Sequence, residues 1–326
     1  MSRRTSRLTI LAVMFFGFAP CVLAQAWLPP KGQGTLAFSY QNNDVDDHLF
    51  STSVFGGVDA GADAFDLGDI DSQVLTVGGS YGLSKRFAVD GEFAWVTARY
   101  TGVNAENPAL DDGSFHGAFQ DVRIGVRFGA IQKRRVTFTP SVAVVVPSNN
   151  YETFGHASVG RSLNELQLGL NAGRLFGAGV ARTFLQGNYT YSLVESLGGV
   201  SLNRSNAFAS FGYFVTRKVT LRSFGSWQET HGGIDWANGI NTANDLNIHD
   251  RAAAANFYRL GGGASIRVAP DVELYANYAW TIEGENTHDA EGFTLGLAWG
   301  FRGALGQRDA TSSTTPTAAA MELRTE

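Results

Sequence analysis

What most limits the fold of this chain is the behaviour of its apolar residues after position 26, where they alternate with polar ones and never run on. No stretch of about eighteen apolar residues occurs there, which excludes a membrane-crossing helix. Period-two alternation places successive side chains on opposite faces of an extended segment, the mark of a strand with one oily and one polar side. Phe87, Val89, Gly91, Phe93 and Trp95 alternate with Ala88, Asp90, Glu92 and Ala94. Val122, Ile124, Val126 and Phe128 alternate in the same way with Arg123, Gly125 and Arg127. Similar segments contain Leu36 to Tyr40, Leu75 to Tyr81, Val136 to Val146 and Leu166 to Leu170. Six more are centred on residues 185–191, 207–213, 219–227, 258–266, 272–280 and 293–301. The pattern predicts an all-β chain of about twelve strands, an even number of the kind that closes into a single-chain antiparallel barrel.

Two further features separate a membrane barrel from a soluble sandwich. The oily faces carry aromatics near strand ends, including Tyr81, Trp95, Phe128, Tyr189, Tyr213, Trp227, Tyr278, Trp280, Trp299 and Phe301. Aromatic girdles that flank an aliphatic band suit a lipid interface, whereas a sandwich gives no reason for them. The connectors also sort by parity. Links after even-numbered strands are short (83–85, 131–134, 176–179, 216–218 and 269–271). Links after odd-numbered strands are long and polar (43–70, 101–116, 148–161, 192–204, 228–255 and 283–291). Short periplasmic turns and long extracellular loops produce that alternation.

Export is expected from residues 1–26. Arg3, Arg4 and Arg7 precede the apolar run Leu8 to Ala19, and cleavage fits either before Gln25 or before Trp27. Either cut removes Cys21, the one cysteine, and leaves a mature chain without thiol chemistry. A net charge of −5 argues against electrostatic capture of nucleic acid. The barrel is expected over residues 27–301. Residues 302–326, rich in Ala and Thr, read as a flexible periplasmic tail. Thr294, Gly296, Trp299 and Phe301 in the last strand match the polar-x-Gly-x-x-aromatic-x-aromatic signal read by the barrel assembly machinery, although the tail follows it. Expected partners are therefore outer-membrane lipid, lipopolysaccharide, that machinery and a small-molecule solute.

Trp27-Leu28-Pro29-Pro30-Lys31-Gly32 with Gly34, and Gly160-Arg161 with Asn164-Glu165-Leu166-Gln167, resemble the outer-membrane transporter family of the meta-pathway of phenol degradation. The resemblance implies passage of small molecules, aromatic or apolar ones among them. The alternation itself points Asp90, Glu92, Arg123, Arg127, Glu165, Arg222, Arg259, Arg267 and Glu273 into the lumen. Arg267 and Glu273 are expected to face each other across a tight turn, and Glu92 and Arg123 across adjacent strands. These charges read either as a selecting constriction or as bracing of a polar interior. Phe184, Phe208, Phe214, Phe224 and Tyr275 share the inward parity, either as a slide for aromatic solutes or as packing that narrows the barrel.

One arrangement suggests catalysis. His156 and Ser158 fall on one face if their segment is extended, as in the His-x-Ser pair of outer-membrane lipid hydrolases, but Val159 stands where the phospholipase motif has asparagine. A sealed structural or surface-binding barrel is the third reading. The first loop is acidic (Asp44, Asp46, Asp47, Asp59, Asp63, Asp66, Asp69, Asp71) without EF-hand spacing. The fifth carries His231, Asp235, His249 and Asp250 without a recognisable metal spacing. No metal site, cofactor motif or nucleic-acid module is expected.

Overall fold

A computed structural model describes residues 26–50, 68–103, 105–237 and 239–303, with three two-residue strand fragments between 54 and 65. Residues 1–25 of the expected leader (1–26) and residues 304–326 of the expected tail (302–326) lie outside the described residues. Twelve antiparallel strands make the wall. They are β1 (Gln33–Leu49), β2 (Asp69–Gly82), β3 (Phe87–Thr101), β4 (Val122–Phe128), β5 (Val136–Val146) and β6 (Glu165–Phe176), then β7 (Thr183–Val194), β8 (Arg204–Phe214), β9 (Val219–Thr230), β10 (Asn256–Ala269), β11 (Val272–Glu285) and β12 (Thr287–Arg302). Each bonds to its sequence neighbour, and β12 closes on β1 with Phe38 opposite Leu297. Closure pairs both edges of every strand's backbone, which is what a spanning sheet requires in lipid. A piece at His116–Phe119 continues the pairing of β3 ahead of β4.

The outer surface is oily. Leu75, Ile124, Val142, Leu168, Leu185, Phe211, Leu260 and Leu295 are all exposed there, a placement that water would penalise and lipid rewards. Two aromatic belts bound the band. At the tight-turn end Tyr81 stacks on Phe301 at 6.1 Å, Phe301 meets Trp299 at 5.8 Å, and Phe87 meets Phe128 at 5.2 Å. At the long-loop end Trp95 meets Phe119 at 4.8 Å and Tyr278 meets Trp280 at 6.0 Å. Phe87 and Trp95 are eight residues apart on β3, about 26 Å along the strand and roughly 20 Å along the membrane normal after tilt. That spacing suits the hydrocarbon thickness of an outer membrane.

The strands are longer than the membrane is thick. β1 has 17 residues, so it rises well beyond the outer belt at the long-loop end. Asp44 therefore lies in a strand, not in the first loop, and Asp71 pairs with Arg99 across β2 and β3. The same extension overturns one connector expectation. Residues 283–291 form no long loop: β11 and β12 meet through Asn286 alone, held at φ 49°. Above the bilayer the outward face of the hairpin meets water while Thr281, Asn286, Thr287 and Ala290 are buried against the loops. Polar residues therefore do not end the strands there, and asparagine tolerates the left-handed turn. The other five long links stand as expected (50–68, 102–115, 147–164, 195–203 and 231–255), and the last holds a six-residue helix, α1 (Ala243–Ile248).

Chain from outside the strands enters the barrel at both ends. At the tight-turn end the chain before β1 crosses the mouth: the Ala26 carbonyl accepts from Thr137 Oγ1 at 3.0 Å and Thr139 Oγ1 at 2.9 Å on β5. The Trp27 ring lies over Gly173 of β6, where any Cβ would meet it at 2.5 Å. At the long-loop end Ala157 and Val159 from the third outer loop pack on the inward-facing Val45, Ile70, Val96 and Tyr100. Leu163 of that loop joins Ile234 and Ala252 of the fifth in a second cluster.

Candidate functional site

Register assigns every inward residue. Asp90, Glu92, Arg123, Arg127 and Glu165 project into the lumen from β3, β4 and β6. Phe184, Phe208, Phe214, Arg222, Phe224, Arg259 and Tyr275 do so from β7 to β11. The two groups line different parts of the wall, so the lumen is two-sided.

The side built from β2 to β6 is polar and internally bonded. Arg127 donates to both Asp90 oxygens, from Nε at 2.7 Å and Nη2 at 2.8 Å. Its Nη2 also reaches Ser80 Oγ at 2.7 Å and its Nη1 the Trp27 carbonyl at 3.3 Å. Further toward the loops, Arg123 Nε donates to Gln167 Oε1 at 2.8 Å, Gln167 Nε2 to Glu165 Oε2 at 3.1 Å, and Arg204 pairs with Glu165. Arg123 stands opposite Glu92 in the ladder, as the pattern predicts, and its Nε is directed to Gln167. Arg267 and Glu273 are likewise ladder partners. The Arg127–Asp90 and Arg204–Glu165 pairs, with the Arg123–Gln167–Glu165 chain, brace the β2–β6 wall.

The side built from β7 to β12 is aromatic. Phe184 meets Phe214 at 5.6 Å and Phe208 meets Phe224 at 5.8 Å. Three rings occupy the space beside glycines of the next strand: Phe184 at Gly212, Phe224 at Gly261, and Tyr275 at Gly296. Only a residue without a side chain leaves room for that, which explains the glycine across from each of these three rings. Arg222 Nη2 donates to Asn277 Oδ1 at 2.6 Å, and its guanidinium stands 5.8 Å from the Phe224 ring and 5.9 Å from Tyr275. Phe224 and Tyr275 are only 9% and 6% exposed, so the rings are packed at this level and do not line an open bore. Phe257, which sequence reasoning missed, joins the strip under Arg259 at 4.8 Å. Its inward register follows from Gln228 opposite it on β9, but it starts β10 where no alternation precedes it.

Of the assembly-signal residues, Thr294 and Gly296 face the lumen, opposite Asn277 and Tyr275 of β11, while Trp299 and Phe301 sit in the outer belt. His156 and Ser158 do not share an extended face. Gly155 at φ 121° begins a turn closed by Ser158 N donating to the Gly155 carbonyl at 3.0 Å. The His156 ring instead stacks on Tyr100 at 4.4 Å and meets His48 edge-on at 5.7 Å, and Ser158 is buried. The glycine, invisible to a period-two reading, decides that turn.

The long-loop end gathers what the spacing did not. His48, His249 and His288 surround Trp236, with His48 and His288 at 4.5 Å, and His156 joins them through His48. Asp111 holds the second loop to the third by accepting from the backbone N–H of Glu106, Asn107 and Ala157 at 3.0, 3.0 and 2.9 Å. Arg251 Nε donates to the Arg161 carbonyl at 2.8 Å and so ties the fifth loop to the third. Burial holds the Arg161 guanidinium below its ordinary value. Burial, and after it the Asp250 carboxylate, hold Glu106 above the usual range. His231 stacks on Tyr191, and Asp235 Oδ1 accepts from Ala237 N at 3.1 Å. Asp63 and Asp66 of the first loop lie outside the described residues.

No protein-family model matches the chain, and no curated protein does. Among solved structures it is similar to the COG4313 outer membrane channel from Pseudomonas putida F1, with a TM-score of 0.63 over 83% of this chain and 96% of that one. The two chains share a fold. At 13% identity the likeness speaks for architecture alone. The NanC porin (TM-score 0.45, 10% identity, 81% of this chain and 98% of that one) aligns too loosely to add to it. So does a Pseudomonas aeruginosa FadL homologue (TM-score 0.42, 10% identity, 90% and 100%).

Proposed function

We propose that this barrel sits in a bacterial outer membrane and passes small molecules passively, favouring those with an aromatic or apolar face. The observation that carries the reading is the two-sided lumen: an aromatic–glycine strip from β7 to β12 opposite a braced polar wall. Glycine leaves the wall side of each ring without a side chain, so what holds the rings are their lumen neighbours, Phe214 for Phe184 and Phe208 with Arg222 for Phe224. Rotation about χ1 that parts these contacts would open room for a flat solute. The apolar outer band and its two belts support the membrane setting, and the long loops then face outward with Ala26 at the periplasmic mouth. A barrel with the outer membrane as its destination needs an export leader and the assembly machinery. Arg3, Arg4, Arg7 and the apolar run Leu8 to Ala19 supply the features for the first, and Thr294, Gly296, Trp299 and Phe301 those for the second. The Pseudomonas putida protein that shares this fold is an outer membrane channel, which agrees with passage of solutes. So does the resemblance to the phenol meta-pathway transporters.

The test is flux into proteoliposomes of small aromatic solutes against sugars of similar size. Wild type should admit the aromatic set faster, and Phe208→Ser with Phe224→Ser should reduce that preference several-fold. Folded protein that admits neither set refutes the proposal. Lipid hydrolysis is the weaker reading, because the buried turn at Gly155 gives Ser158 no shared face with His156.

A further inference from the structure

Three side chains from two outer loops converge under the long-loop end, and nothing in the lumen requires them to. Glu106 comes from the second loop, and His249 and Asp250 come from the fifth, directly after α1. Each offers one ligand atom, and the three atoms lie within 4.8 Å of one another. His249 Nε2 stands 3.4 Å from Glu106 Oε1 and 3.3 Å from Asp250 Oδ1. Four ligands at the corners of a tetrahedron with bonds of ~2.0–2.1 Å are ~3.3–3.4 Å apart, so these two edges already have the length a small divalent ion needs.

The rest of the cluster supports a ligand set more than a simple ion pair. Glu106 Oε2 is buried and has no hydrogen-bond partner among the described residues, which leaves a carboxylate lone pair aimed into protein. The Glu106 backbone is fixed by its N–H donating to Asp111 Oδ2 at 3.0 Å, and the same carboxylate accepts from His156 N at 3.2 Å. On the other side the His249 carbonyl accepts from Trp236 Nε1 at 3.4 Å, and Trp236 N is held by Asn286 Oδ1 at 2.8 Å. Both arms of the cluster are therefore positioned before any ion arrives, which lowers the ordering cost of binding.

We propose that Glu106, His249 and Asp250 bind a borderline divalent transition-metal ion of the Zn²⁺ class and thereby tie the second outer loop to the fifth over the barrel mouth. The donor set selects the class. One imidazole nitrogen with two carboxylates suits Zn²⁺, Co²⁺, Ni²⁺ or Cu²⁺, whereas Ca²⁺ takes six or more oxygens and Mg²⁺ retains its waters. Three protein ligands leave a fourth position for water. Sequence spacing could not reveal the site, because its first ligand and its histidine come from different loops that only the closed barrel brings together.

The experiment uses the full-length folded barrel in detergent, stripped with EDTA and titrated calorimetrically with Zn²⁺ at neutral pH. One saturable equivalent is expected, unaffected by a large excess of Mg²⁺, and Co²⁺ in its place should develop the visible absorption of a four-coordinate ion. Glu106→Gln and His249→Ala should each weaken Zn²⁺ binding at least tenfold, whereas His231→Ala should leave it unchanged. Heat-modifiable migration on a gel checks that each variant is folded. If His249→Ala does not fold, the near-isosteric Glu106→Gln decides alone. No saturable binding by wild type, or unchanged binding in Glu106→Gln, overturns the site. The flux assay is independent of this outcome.

Discussion

Substituting Gly212 by alanine tests whether the aromatic strip owes its shape to the glycines beneath it. Gly212 and Phe184 are ladder partners on β8 and β7, and a Cβ at Gly212 would stand 2.0 Å from Phe184 Cε1 and 2.2 Å from Cζ. Carbon atoms reach ordinary contact only near ~3.5 Å, so the ring must retreat by about 1.5 Å. Phe214 already flanks it at 5.6 Å, which leaves movement into the lumen as the way out. Overpacking of that size costs ~1–3 kcal/mol. Phe184→Ala removes the obstruction, so the alanine at position 212 should cost little in that background. The pair should then show a coupling of roughly 1–2 kcal/mol in a double-mutant cycle. Guanidinium unfolding of the barrel in short-chain lipid vesicles, followed by tryptophan fluorescence, measures all four corners. In flux assays Gly212→Ala alone should slow aromatic solutes. Additivity within about 0.3–0.5 kcal/mol, or unaltered flux, would refute the argument that ring and glycine are fitted to each other.

Three other expectations follow from the same geometry. Ile124→Arg places a charge on the lipid face of β4 at a position 56% exposed and should cost ~2–4 kcal/mol by unfolding in vesicles; a negligible cost would contradict contact with lipid. Asp90→Asn weakens the anchor of Arg127, which also holds the Trp27 carbonyl, and should cost roughly 1.5–3 kcal/mol. Hydrogen exchange at Trp27 and Leu28 should accelerate in that variant, and unchanged protection would show that the segment is held elsewhere. Because the Ala26 carbonyl is bonded to Thr137 and Thr139, the mature chain should begin at Gln25 and not at Trp27, which intact mass of the exported protein reads directly.

The wall of this protein is legible in its sequence because a two-residue period needs no tertiary information: Ile124 and Arg123 must point in opposite directions wherever β4 lies. Strand number, the inward set from Asp90 to Tyr275 and the outer belts all follow from that rule. Two things were not legible. The turn at Asn286 and the strand position of Asp44 depend on how far a hairpin continues past the bilayer, and composition does not record that height. The outer cluster depends on loops that have no period at all. Glu106 reaches His249 and Asp250 because closure of β12 on β1 bends the wall into a ring and folds the second, third and fifth loops over a common mouth. Local chemistry thus determined which face of each strand meets lipid, whereas only the closed barrel decided which distant loop residues became neighbours, since nothing short of closure brings those loops together.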